Sequence, residues 1–142
     1  MVQEETFLGT AGSLSLIDNF ENDVILMMNS DLLTNINYED LYETFIKTKS
    51  DMIVASTPYH VNLPYAIFET EGDNVLSFSE KPNYTYYANA GIYMFKKEML
   101  KYIPKNEFFN ATDFMAKIKE ENLALSHYPI TTYWLDIGML KD

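Results

Sequence analysis

The chain has 142 residues and a formal net charge of −11, from 10 Lys+Arg against 21 Asp+Glu. So acidic a surface repels phosphodiester backbones and argues against nucleic-acid binding, while a hydrophobic fraction of 47% sets disorder and low complexity aside. Cys is absent, which removes disulfides and thiolate metal sites, and no apolar run reaches the roughly 18 residues of a membrane helix.

The length fits one domain around one core. A small anionic substrate remains compatible with the charge if a metal or a few lysines meet it locally. The start, Met1 to Glu5, is polar and acidic and has no signal-peptide character, so a cytoplasmic protein is expected. Asn83-Tyr84-Thr85 and Asn110-Ala111-Thr112 match the glycosylation sequon and, without a secretion signal, read as ordinary surface.

Thr10 to Phe20 reads as a helix with Leu14, Leu16, Ile17 and Phe20 inward. Asp23 to Met28 follows as a continuous apolar strand, expected to be buried on both faces. Asn37 suits an N-cap, and behind it Tyr38, Leu41, Tyr42, Phe45 and Ile46 trace one helical stripe. Met52 to Ser56 is the next strand. Tyr65–Glu69 and Val75–Ser79 flank a turn at Glu71-Gly72-Asp73-Asn74 and form a hairpin. Ala90 to Phe95 is another apolar strand, Lys97 to Ile103 a short helix stopped by Pro104, and Asn110 caps a helix through about Asn122. Leu123–Tyr128 and Thr132–Leu135 close the chain as strands. This alternation predicts an α/β fold with a mixed sheet flanked by helices. The chain opens on a helix without a preceding strand, so residues 1–142 read as one N-terminally incomplete domain.

Two acids stand out. Asp31 ends the run Met27-Met28-Asn29-Ser30-Asp31, and Asp136 lies in Tyr133-Trp134-Leu135-Asp136-Ile137-Gly138. Each follows a strand-like apolar run, where open α/β sheets hold ligands and where a carboxylate needs a cationic partner. Two such acids of like sign suggest a shared divalent cation that in turn holds phosphates. Trp134 reads as core. His60 and His127 have no matching partner and receive no role. Tyr84, Tyr86 and Tyr87 read as a packed rim, with sugar stacking as the other reading.

Six short runs appear in order: Leu8-Gly9-Thr10-Ala11-Gly12, Asn29-Ser30-Asp31, Pro64-Tyr65-Ala66-Ile67, Glu80-Lys81-Pro82, Asn89-Ala90-Gly91-Ile92-Tyr93 and Tyr133 to Gly138. Together they resemble the sugar-nucleotidyltransferase (nucleotide-sugar pyrophosphorylase) family, of the hexose-1-phosphate guanylyl-, thymidylyl- and uridylyltransferase type. The resemblance implies a Rossmann-like, mostly parallel sheet. It implies an enzyme that joins a nucleoside triphosphate to a sugar 1-phosphate and releases pyrophosphate.

The same resemblance assigns roles. Asp31 and Asp136 ligate Mg²⁺, and Lys81 pairs with the sugar phosphate. Glu80 and Asn89 bond sugar hydroxyls. Tyr65 and Ala66 line the sugar side, and the backbone of Gly9, Thr10, Ala11 and Gly12 lies beside the nucleobase. Base and sugar stay open.

The family's first element, a strand and a Gly-rich loop ending in Arg with a Lys beyond, has no match here. That loop cradles the triphosphate. The resemblance therefore covers the later two-thirds of a catalytic domain. It implies a fragment inactive alone, with an open sheet edge through which copies self-associate. Two other functions fit the same residues: a non-catalytic nucleotide-sugar-binding or regulatory module, and a metal-dependent glycosyltransferase.

Overall fold

The computed structural model describes residue 3 and residues 5–17 and 19–139. Its first element, α1 (Gly9–Gly12), runs into a 3₁₀ turn, Ser13–Leu16, and stops, with Ile17 already extended. The helix expected over residues 10–20 is thus cut to four α-helical and four 3₁₀ residues ending at Leu16, and Asp18 lies outside the described residues. The cause is local: Ser15 Oγ donates back to the Gly12 carbonyl at 2.8 Å and accepts the Asn106 N–H at 3.0 Å, which competes with helix continuation.

Next come β1 (Val24–Met28), β2 (Leu32–Thr34), α2 (Tyr38–Lys47), β3 (Met52–Asn62), β4 (Ile67–Glu71), β5 (Asn74–Ser79) and β6 (Asn83–Lys96). A 3₁₀ turn at Lys97–Tyr102 takes the place of the helix expected there. The chain ends with α3 (Ala111–Glu120), β7 (Leu125–Pro129), β8 (Trp134–Asp136) and a 3₁₀ turn, Ile137–Met139. The α2 N-cap is as read: Asn37 Oδ1 accepts the Asp40 N–H at 3.0 Å.

The main sheet has the order β1-β6-β3-β7. It is mixed, as expected. Because β6 runs opposite to the other members, β1–β6 and β3–β6 are antiparallel and only β3–β7 is parallel. The expectation of a mostly parallel sheet thus holds for strand direction and fails for pairing.

Alternation along β3 and β6 divides the core between two helices. Phe114 and Ile118 of α3 pack on Met52, Val54 and Phe95, with the Phe95 and Phe114 rings edge-on at 5.0 Å. Leu41 and Phe45 of α2 pack on Ile53, Ala55 and Ile92 on the opposite face. The inward stripe of α2 is narrower than its pattern: Tyr38, Tyr42 and Ile46 are exposed.

β1 is an edge strand in this sheet and is not buried on both faces; Leu26 and Met28 remain 44% and 43% exposed. Its apolar run does signal a central strand, but a run of sequence does not reveal whether its second neighbour is at hand. β3 and β6 extend well past the expected 52–56 and 90–95. Thr57–Asn62 and Asn83–Ala88 pair beyond the core as an arm, joined to the expected β4–β5 hairpin. Since β7 ends opposite Ser56, β3 is an edge beyond that point, and Pro58 is tolerated there.

Asp51 ties the starts of β3 and β7 to the end of β6. Its carboxylate accepts the Ala124 N–H at 2.8 Å and the Lys96 ammonium at 3.1 Å. Burial raises its pKa, but the Ala124 N–H and Lys96 outweigh it and hold the group below the ordinary 3.8. The ionised form therefore contributes stability above that value and loses it as pH falls through the folded pKa. Asp51→Asn should destabilise the chain at neutral pH, with the deficit shrinking from about pH 5 to about pH 2. Urea melts across that range check this, and a deficit independent of pH would contradict it.

Candidate metal and phosphate site

Asp31 and Asp136 converge because the chain pairs them. Asp31 immediately precedes β2 and Asp136 ends β8, and these strands form an antiparallel ladder that places Leu32 opposite Asp136. The Ile137 N–H donates to the Asp31 carbonyl at 2.8 Å, closing the ladder. Both carboxylates turn to the same side. A Cβ on Gly138 would lie 2.5 Å from Asp31 Oδ2 and 3.1 Å from Asp136 Oδ1. The Gly138 N–H donates to Asp136 Oδ1 at 2.9 Å and holds it there.

Burial, expected from the sequence to demand a cation at these acids, does not do so: Asp31 is exposed and Asp136 half-buried. What invites a cation is the convergence of two like charges. Two carboxylate oxygens are hard donors of the kind Mg²⁺ takes, and that ion fills its remaining positions with water and substrate phosphates. The donor set therefore fits Mg²⁺. No third Asp, Glu or His joins the pair among the described residues.

The bulged stretch of β6 tethers the chain ahead of each acid, through the β1–β6 register on one side and a freed carbonyl on the other. The β3–β6 register runs Val54↔Tyr93 and then Ser56↔Asn89, so Ala55 alone faces Ala90, Gly91 and Ile92. Gly91 takes φ +77°, and its N–H donates to Asn89 Oδ1 at 2.8 Å. The Gly91 carbonyl accepts the Asn29 N–H at 2.9 Å, two residues before Asp31. The Ala90 carbonyl accepts the Trp134 indole N–H at 2.8 Å, two residues before Asp136. Trp134 packs against the core as read and also performs this tether. Nothing in the residue pattern announced the bulge except the glycine.

The other expected site residues fall into two groups. Thr10 lines a cavity of about 380 Å³ together with Met28, Asn29, Ser30 and Asp31, which brings the Gly9–Gly12 segment beside the acid. Its glycines have a packing reason of their own. A Cβ on Gly9 would lie 2.6 Å from Asn110 Oδ1, and one on Gly12 2.6 Å from the Glu107 carbonyl. Thr10 locks this contact, its N–H donating to Asn110 Oδ1 at 3.2 Å and its Oγ1 accepting the Ala111 N–H at 2.6 Å.

Asn89 stands at the base of the arm. Its amide nitrogen donates to Tyr93 Oη at 3.0 Å while its oxygen serves Gly91. Tyr65, Ala66, Glu80 and Lys81 are all exposed on the arm, with Lys81 at φ +43° in the turn after β5. Among the described residues no ion pair or hydrogen bond joins them to either aspartate.

A methyl group at Gly138 would drive the two carboxylates apart. Gly138→Ala should weaken Mn²⁺ binding by about tenfold or more, whereas Gly72→Ala, with open space around its Cβ, should leave it unchanged. Titration followed by Mn²⁺ electron paramagnetic resonance reads both. Equal affinity in the two variants would show that the pair does not hold the ion.

Comparison with known proteins agrees with this architecture. The family model described as Nucleotidyl transferase matches residues 1–142. A candidate mannose-1-phosphate guanyltransferase of Sulfolobus acidocaldarius is 30% identical over 145 residues, covering 99% of this chain and 40% of that protein. A glucose-1-phosphate adenylyltransferase of Clostridioides difficile is 25% identical over 143 residues, covering 92% and 37%. The chain thus spans 40% or less of the length of these two curated relatives. Among solved structures, HddC from Yersinia pseudotuberculosis shares the fold with a TM-score of 0.68 at 23% identity, over 95% of this chain and 59% of HddC. The chain belongs to the nucleotidyl transferase family, among its sugar-nucleotidyltransferase members.

Proposed function

We propose that this chain forms the metal-holding and sugar-phosphate-holding part of an enzyme that transfers a nucleotidyl group from a nucleoside triphosphate to a hexose 1-phosphate. The observation that carries the reading is the convergence of Asp31 and Asp136 on one point beside Gly138. The names of the relatives, which specify mannose 1-phosphate and glucose 1-phosphate, support the choice of acceptor. In the reaction a phosphate oxygen of the sugar 1-phosphate bonds to the α-phosphorus. The bond from that phosphorus to the α–β bridging oxygen breaks, and pyrophosphate leaves. No covalent bond to the protein is needed, so the work is positioning and charge neutralisation.

Bound Mg²⁺ would supply charge neutralisation for phosphate oxygens of both substrates. Asp31 and Asp136 would hold it. Thr10 and its neighbours Gly9, Ala11 and Gly12 would border the nucleoside, since Thr10 and Asp31 share one cavity. Lys81 would meet the sugar phosphate once the arm lies over the acids, and Glu80, Tyr65 and Ala66 would come with it on the same arm. Asn89, at the arm's base, would face the sugar. On this reading the compartment is the cytoplasm, where nucleoside triphosphates are made.

These 142 residues contain no Gly-rich, Arg-ending cradle for the triphosphate. The chain by itself should therefore release no pyrophosphate from any pair of triphosphate and hexose 1-phosphate. A chain extended at its N-terminus by such a loop should turn over. In that extended chain Asp31→Asn and Asp136→Asn should each lower the rate at least about 100-fold with the circular dichroism unchanged. Near-normal turnover in both variants would remove the acids from the site, leaving a nucleotide-sugar-binding module.

The open edge of β1, with Leu26 and Met28 half exposed, would pair with a strand of a second copy. Sedimentation of the 142-residue chain should show self-association, and a clean monomer would contradict it.

A further inference from the structure

The chain carries its positive charge unevenly. It has 10 basic residues, all of them lysines, against 21 acids. Three of the ten, Lys97, Lys101 and Lys105, line one cavity of about 280 Å³, between the 3₁₀ turn Ser13–Leu16 and the 3₁₀ turn Lys97–Tyr102. Among the described residues no Asp or Glu lines it. In a chain where acids outnumber bases two to one, three lysines and no acid around one hollow make a local positive field that attracts an anion.

These lysines lack counterions. Among the described residues the ion pairs use Lys96 and Lys117 and none of these three. Lys97 is half-buried, and its ammonium gives one hydrogen bond, to the Phe20 carbonyl at 2.5 Å. Two of its three N–H donors are left over, and a cation partly withdrawn from water is costly until an anion meets it. The Lys101 ammonium lies 5.1 Å from the centroid of the Tyr102 ring, a contact that leaves its charge uncompensated. The frame around them is tied together by Ser15, whose hydroxyl donates to the Gly12 carbonyl and accepts the Asn106 N–H next to Lys105.

The remaining walls are mostly apolar, with Leu14, Ile17, Phe20, Leu100 and Ile103 among them. Cations beside apolar walls suit a molecule with a charged head and a carbon body. Ammonium groups are compact point contacts for phosphate. The volume limits the body: at roughly 30 Å³ per water the cavity equals about nine waters. That is room for a phosphate with a few carbons and too little for a nucleotide. The cavity is distinct from that of the acids. Thr10 of α1 borders the Asp31 cavity, whereas Leu14, farther along the same segment, borders this one.

We propose that this cavity is a second anion site and takes a small phosphate monoester. Lys97, Lys101 and Lys105 hold the phosphate, and Leu14, Phe20 and Ile103 hold the carbon body. The site stands apart from the nucleotidyl-transfer reading, in which none of these residues has a part.

Titration of the 142-residue chain with propyl phosphate, read from amide ¹H–¹⁵N spectra, should shift Ser15, Lys97, Leu100 and Lys105 and leave Asp31 and Asp136 still. Inorganic phosphate should bind at the same place at least about fourfold more weakly, for want of buried methylene groups. Propanol should move none of these amides. Lys97→Met and Lys105→Met, which keep an unbranched stem, should each weaken propyl phosphate by about three- to tenfold. Lys117→Met, whose ammonium pairs with Glu120 and Glu121 on α3, should change nothing. The titration of the unaltered chain stands even if a variant misfolds. Shifts confined to Asp31, Lys81 and Asn89 would put the phosphate at the transfer site alone and overturn the proposal, as would the absence of any shift. Propanol moving the same amides, or both lysine variants binding as tightly as the unaltered chain, would show an apolar hollow and overturn it too. Inorganic phosphate binding as tightly as propyl phosphate would overturn the assigned ligand class.

Discussion

The bulge of β6 opposite Ala55 is the constraint from which the candidate site follows, because it leaves the Ala90 carbonyl out of the β3 pairing, next to Gly91, whose carbonyl continues the β1–β6 register. The Ala90 carbonyl holds the Trp134 indole and the Gly91 carbonyl holds the Asn29 amide. Each tether lies two residues before an aspartate. Only glycine sits easily at the φ of +77° that Gly91 adopts, and a Cβ there would come within 2.6 Å of the Asn29 side chain. One short stretch of a central strand, a regular rung at Gly91 and a freed carbonyl at Ala90, thus tethers the approach to acids that lie 105 positions apart in the chain (residues 31 and 136). The short β2–β8 ladder then turns both carboxylates to one side.

Electrostatics and packing divide the labour around that bulge. The core on either face, Phe95 with Phe114 and Ile53 with Phe45, makes the sheet rigid and leaves the strand ends to carry chemistry. The acids themselves stay near water, which screens their repulsion until a cation is bound. With 21 acidic residues against 10 basic ones, the chain draws a divalent cation more readily than a bare phosphate. Lys81 is displayed on the exposed arm, and on the proposed reading it is the cation for the sugar phosphate.

Much of this was legible in the sequence, for identifiable reasons. The β3 and β6 core runs, the Asn37 cap and the α3 periodicity each state their own structure locally, and Asp31 and Asp136 stand out as acids at the ends of apolar runs. Other features depend on partners that lie far away in the chain. β2 is too short to show a pattern, and the bulge leaves only a single glycine as its mark. The burial of β1 was over-read because an apolar run carries no record of which edge is covered. Gly9 and Gly12 were read for ligand approach, and the structure adds a packing reason, their contact with the 107–110 segment.

The central claim is that Asp31 and Asp136 together grip a divalent cation. Crystals of the chain soaked with Mn²⁺ and a nucleoside-diphosphate hexose, measured at the manganese absorption edge, test it most directly. The account predicts one anomalous peak bridging the two carboxylates next to Gly138. A peak elsewhere, or side chains turned apart with no ion between them, would contradict it.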